Sequence, residues 1–407
     1  MAALIIFKSC VGLAVYTYPY AFSKVGIAWG IVLSALTCYA TTYGMYAIAE
    51  ISDDIENPEN DDSIIINDYR QLSYIVINRV YGQKYAEYIS AFTATINFML
   101  IATIIIASLI NISNQIHESL NLSVFTVKIC ILAFYLLMMV FVIVPEQIKV
   151  FGFVSAIGAT VILALMMTDN FWMIWHRAGD TEIRYDVVNL WNTGQFLTIA
   201  GSSYESIGTL LTVRSAMKHK SALPKQIIYV FIGIGILYSL FSLSFYFAYG
   251  KDSIISNTIL FYPETSRPIF YTIGLLYSLT LILFIPLLNI ANSEQLQEIS
   301  IIKSCIEVDA GELSVITLVV FRWLLLILTI APAMLTNKIE VVLEFSGSLV
   351  VPFISFYIPV TVKWTFAKSK GVVLGWQAVI HDSMICMFGT AILVLGLMDA
   401  IANIVNK

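Results

Sequence analysis

The chain has 407 residues, of which 59% are hydrophobic and only 12% charged, about half the charge fraction of an ordinary soluble domain. A soluble globule of this size has too little interior for so much apolar surface, which excludes soluble enzymes and requires a polytopic membrane protein. The net charge of −5 argues against nucleic acid or another polyanion as partner.

In chain order, apolar runs near the ~20 residues that a span needs cover 4–22, 27–49, 86–112, 127–145, 151–175, 191–213, 226–250, 267–290, 314–336, 341–363 and 375–400. Barrel strands would be about ten alternating residues, so these runs are expected as eleven transmembrane helices in one all-α domain over 1–407. The first run reads as a retained span, since no charged start and small-residue cleavage site precede it.

Between the second and third runs, 52–84 carries Asp53, Asp54, Glu56, Glu59, Asp61, Asp62 and Asp68 before its first base, Arg70. That stretch reads as a solvated acidic loop. Lys and Arg in the short loops favour a cytosolic amino terminus, twelve against eight, with clusters at 214–225 and 363–370. The same orientation places both N-x-S sequons, at Asn111 and Asn121, on the opposite side, where glycosylation is possible. Cysteines lack zinc-like spacing, so no metal site, disulfide framework or cofactor is expected.

Two runs carry helix-weakening chemistry at comparable places. The first, Lys8-Ser-Cys-Val11-Gly12-Leu13-Ala14-Val15-Tyr-Thr-Tyr18-Pro19-Tyr, holds Gly12 and Pro19; the sixth, Gly201-Ser202-Ser203-Tyr204-Glu205-Ser206-Ile-Gly208, holds two glycines and an ionisable Glu205. Glycine and proline weaken helices, and unwound backbone survives in a bilayer only where it lines a cavity or is buried in protein. Interruptions at Gly12, Pro19, Gly201 and Gly208, five spans apart, are what an inverted-repeat transporter shows at its binding site. Close packing of small residues is the competing explanation for the glycines.

These residues resemble a known family. Lys8 to Phe22 (KSCVGLAVYTYPYAF), followed by Gly26 and Gly30, is similar to the first-span motif of the amino acid/auxin permeases. Ser203 to Gly208, then Met217 and Leu223-Pro224, resembles that family's sixth span and its cytosolic exit. Weaker echoes lie at 69–82, 247–250 and 347–359. Ala14 and Tyr18 depart from the motif, as does Arg214, which stands near a position that is often acidic.

The resemblance implies a leucine-transporter-like fold: repeats at about 4–175 and 191–363, broken helices 1 and 6, and an added helix at 375–400. It implies substrate contacts at Val11, Gly12, Leu13, Ala14 and Val15 and at Gly201, Ser202, Ser203, Tyr204 and Ser206. The ends of broken helices suit an amino acid, N–H groups meeting its carboxylate and carbonyls its ammonium.

Lys8 and Glu205 are the candidate ion-coupling residues. Sodium-coupled members often have asparagine at the Lys8 position, so lysine resembles proton-coupled or ion-independent branches; a lysine that snorkels to the headgroups is the alternative. Glu205, a costly charge at the bilayer midplane, has three possible roles: to carry a proton, meet a cationic substrate or bond to unwound backbone. His381 and Asp382 are expected as peripheral structure at the cytosolic end of the last span.

The expected function is proton-coupled, secondary-active transport of small neutral or cationic amino acids by alternating access, sodium being the less favoured ion. The expected location is the plasma membrane or an acidic organelle such as the lysosome or vacuole. The alternative is an amino-acid-sensing receptor of the same fold. Paired catalytic groups, which an embedded enzyme needs, are not recognisable.

Overall fold

The computed structural model describes residues 6–7, 13–56, 66–141, 145–176, 185–215, 217, 219–252, 254, 258, 267–297 and 315–405. Among these residues the chain is helical and has no strand. A 3₁₀ turn, Leu13–Thr17, leads into α1 (Tyr18–Val25). Next come α2 (Ile27–Ile55), α3 (Tyr69–Tyr81), α4 (Gln83–Leu120), α5 (Val124–Phe141), α6 (Pro145–His176), α7 (Thr193–Tyr204) and α8 (Ile207–Ser215). The remainder is α9 (Leu223–Tyr249), α10 (Arg267–Gln297), α11 (Val315–Leu335), α12 (Ile339–Phe345), α13 (Ile358–Ser369) and α14 (Trp376–Val405). Two π-wound segments, Ser346–Val350 and Pro352–Tyr357, join α12 to α13.

Among the described residues each apolar run is largely helical. By length and composition, five stretches among the described residues suffice to cross a membrane: Ile27–Ile55, Gln83–Leu120, Lys220–Tyr249, Ile339–Ser369 and Trp376–Ala402. At 1.5 Å per residue the 38 residues of α4 reach about 57 Å, well beyond a hydrocarbon core of about 30 Å.

The stretch 52–84, expected as an acidic loop whose part 69–82 resembles the family's amphipathic segment before span three, contains α3. Asp68 caps this helix by accepting the Gln71 N–H at 2.7 Å, and the helix buries Tyr69, Leu72 and Val76 against α4 and α13. An apolar face at helical spacing outweighs the surrounding charge. Residues 57–65, which hold Glu59, Asp61 and Asp62, lie outside the described residues.

The two sequons also part company. Asn111 is 1% exposed inside α4, a site closed to glycosylation. Asn121 is exposed and caps α4 in the left-handed conformation.

α7 lies at the centre, against α1, α2, α14 and the first π segment. Glycines let these backbones approach: a Cβ on Gly347 would overlap the Thr198 carbonyl, and one on Gly44 the Ser355 carbonyl. Gly26, at φ +83°, ends α1. The chain entering α7 lies across it, with the Ile27 N–H bonded to Asp186 O at 3.1 Å and the Asn189 N–H to Val25 O at 2.7 Å.

Asp382 is fully buried, not peripheral as expected. It binds α14 to α2 and α13 by accepting from Tyr43, from Lys363 at 2.9 Å and from Trp364 at 2.7 Å. An isolated carboxylate there would be costly, and three donors offset that cost.

Candidate functional site

The sixth apolar run is interrupted. α7 stops at Tyr204, Glu205 is extended (φ −73°, ψ 123°) and α8 begins at Ile207. The Glu205 carboxylate accepts the Ile207 N–H at 2.7 Å and bonds the Gly208 N–H, while the Ser355 hydroxyl donates to its second oxygen. It thus caps α8, holding negative charge at the positive end of that half-helix. Upstream, the Ser203 hydroxyl donates back to Ile199 O at 2.7 Å, a bond that bends helices, and Ser202 donates to Leu343 O at 3.0 Å.

The break therefore falls at Glu205 and Ser206, between the two glycines expected to cause it. Gly201 is inside α7, where an added Cβ would stand 3.3 Å from Val351; Gly208 is inside α8, where one would overlap the Asn97 side chain. Both are close-contact glycines, and the side-chain cap makes the break.

In the first run the change of winding falls between Thr17 and Tyr18. Pro19 sits in the first turn of α1, where its missing N–H costs nothing, so it starts a helix rather than breaking one. Lys8, Val11 and Gly12 lie outside the described residues. The backbones of Leu13 and Ala14 belong to the 3₁₀ turn, and Val15 is fully buried.

The two interrupted regions meet. The Tyr18 hydroxyl donates to Ser34 Oγ at 2.9 Å, and Ser34 Oγ lies 2.8 Å from the Tyr204 hydroxyl. Tyr238 packs at a tilt against both rings and donates to Ser203 O at 3.2 Å. Tyr16 packs between Tyr277 and Phe241, at ring centroid distances of 4.7 and 6.2 Å, and Thr258 donates to its carbonyl at 2.7 Å. Ser206 Oγ faces Met45 Sδ at 3.4 Å. Ser34, Tyr16, Tyr238 and Ser355 were not singled out in the sequence; Ser355 is recognisable there only as one of three serines in a largely apolar span, with Ser346 and Ser348.

Where α2 and α8 finish, an ion cluster joins them. Arg214, 1% exposed, donates to Asp53 at 3.0 Å and pairs with Glu56 at 2.8 Å; Lys220 also binds Glu56, at 2.9 Å. Burial disfavours the charged Glu56 carboxylate, but the Ile66 N–H, Lys220 and Arg214 together hold it below the usual carboxylate range.

The family model described as transmembrane amino acid transporter protein matches residues 1–402, and the chain belongs to that family. A search among curated proteins gave no match.

Proposed function

We propose that this member of the amino acid transporter family is a secondary-active carrier of small neutral or cationic amino acids. It works by alternating access and is driven by protons. The observation that carries this reading is the interruption at Glu205 and Ser206, where an ionisable group, the carbonyl end of α7 and the first-span turn come together.

A helix leaves its last four carbonyls without intrahelical partners. At the end of α7 the carbonyls of Ser202 and Ser203 are of this kind, and Tyr238 engages that of Ser203. They form the natural seat for a substrate ammonium. The positive end of α8 is filled by Glu205, so the substrate carboxylate is assigned to the N–H groups that open the 3₁₀ turn at Leu13, next to Val11 and Gly12. Glu205 is the proton carrier, with Lys8 as a second ionisable group on the opposite span. The repeats at about 4–175 and 191–363 rock against each other, with α14 outside them, and the amino terminus faces the cytosol. The membrane is the plasma membrane or that of an acidic organelle.

Uptake of labelled amino acids into proteoliposomes under imposed proton or sodium gradients tests the reading. Accumulation driven by protons supports it. Substrate binding without accumulation under either gradient supports the sensing receptor instead. Lys8→Ala is expected to abolish pH-driven uptake while exchange persists; an unchanged pH dependence removes Lys8 from the mechanism.

A further inference from the structure

π-Helix normally occurs as single-turn bulges, frequently at functional sites. Here two π segments follow each other in span ten, and they run along the break in span six. Thr198 and Gly201 of α7 meet them at Gly347 and Val351. α4 reaches them through Thr103, whose hydroxyl donates to Ser346 Oγ at 3.0 Å. α14 meets them at Gly389, which lies against Phe356, and at Gly396, which lies against Ser348. Ser355 makes two contacts at once: its carbonyl presses on Gly44 of α2, and its hydroxyl donates to the Glu205 carboxylate. Both partners are buried, Ser355 at 0% and Glu205 at 4% exposure.

We propose that Ser355 is a positioning residue for the coupling step, the contact through which the π-wound middle of span ten responds to the charge on Glu205. This rests on the reading of Glu205 as the proton carrier. An ionised carboxylate only accepts, and the Ser355 hydroxyl satisfies it from span ten. A protonated carboxyl carries its own O–H and needs an acceptor, so the same hydroxyl has to turn or the segment has to move. A packed interface answers such a change by switching rather than by bending. Because the segment touches α2, α4, α7 and α14, one shift in its winding reaches all four. Among the described residues, the titratable group facing Glu205 from a neighbouring helix is Tyr69 of α3; α2 and α4 present Met45 and Asn97 nearby.

The test uses the full chain in proteoliposomes, with a mixture of the labelled standard amino acids as tracer and uptake measured across external pH. Hydrogen bonds donated to a carboxylate favour its charged form, so Ser355→Ala should let Glu205 take its proton at higher pH. The uptake profile is expected to move upward by about one to two pH units. Ser355→Thr, which keeps a hydroxyl, should restore the profile. Ser355→Cys, of serine's size but a weak donor, should behave like Ala. A profile that stays in place in the Ala and Cys variants overturns the proposal, as does a uniform loss of uptake that Thr does not rescue. Glu205→Gln separates the two layers. If it leaves pH dependence intact, the proton-carrier reading fails. If it abolishes pH dependence while Ser355→Ala moves nothing, only the role of Ser355 fails.

Discussion

In the proposed orientation the cluster of Arg214, Asp53, Glu56 and Lys220 joins the cytosolic ends of α2 and α8; if it acts as the cytosolic gate of the proposed mechanism, Arg214→Met should open it. Methionine keeps an unbranched apolar stem and removes the guanidinium with its charge. Leaving one partner of a buried ion pair alone costs about 3–5 kcal/mol. Asp53 is 23% exposed, and Glu56 keeps Lys220 and the Ile66 N–H, so the low end applies, about 3 kcal/mol. If the contact exists only with the cytosolic end closed, that energy shifts the equilibrium toward the open form by roughly 100-fold. Ser206→Cys, in a background without other cysteines, reports the change through its rate of labelling by an impermeant maleimide from the cytosolic face. Arg214→Met should raise that rate by at least about tenfold, and the swap Arg214→Asp with Asp53→Arg should restore it. Acid has the same effect only at its extreme. Glu56 is held below its ordinary range, so its contribution is present above the unfolded-state value and lost as pH falls through the folded one. The ratio of the Arg214→Met labelling rate to that of the parent, which cancels the pH dependence of the thiol itself, should therefore hold steady with cytosolic pH near neutrality. A lower melting temperature with an unchanged labelling rate would refute the gating role and leave a static clamp.

Other substitutions test the packing. Gly347→Ala and Gly208→Ala place a methyl on the Thr198 carbonyl and the Asn97 side chain; overpacking of this kind costs about 1–3 kcal/mol and should lower the melting temperature in detergent. Gly233→Ala, with nothing within 4 Å of the new Cβ, should be neutral or stabilising by up to about 1 kcal/mol. Asp382→Ala strands Lys363 beside α14 and should cost about 2–4 kcal/mol, read as a fall in melting temperature that Lys363→Met partly reverses.

The helices were legible because apolar runs of membrane length admit few alternatives. The run 27–49 became α2, and 375–400 became α14, with ends displaced by only a few residues. α3 was harder, because its amphipathic face lies next to seven acids and its burial depends on α4 and α13, which are distant in sequence. Asp382 shows the same limit. Its carboxylate is tolerable only because Tyr43, Lys363 and Trp364 converge on it, and no spacing along the chain reveals that convergence.

The interruption in span six was legible in its location and not in its cause. Gly201 and Gly208 drew attention to the dozen residues that contain it through backbone propensity, yet both lie in regular helix, where they make room for Val351 and Asn97. What interrupts the span is Glu205, which bonds to the N–H groups ahead of it and is held from the far side by Ser355, 150 residues away. Propensity describes how easily a backbone bends, whereas the break is held by side-chain bonds that form only after span ten has packed. The same fact bears on function. A break held by weak glycines would be permanently loose, but one held by a carboxylate depends on that carboxylate's charge. Replacing the glycines should therefore lower stability, and replacing Glu205 should injure coupling; Gly208→Ala with a lower melting temperature but a retained pH response, beside Glu205→Gln without one, would separate the two.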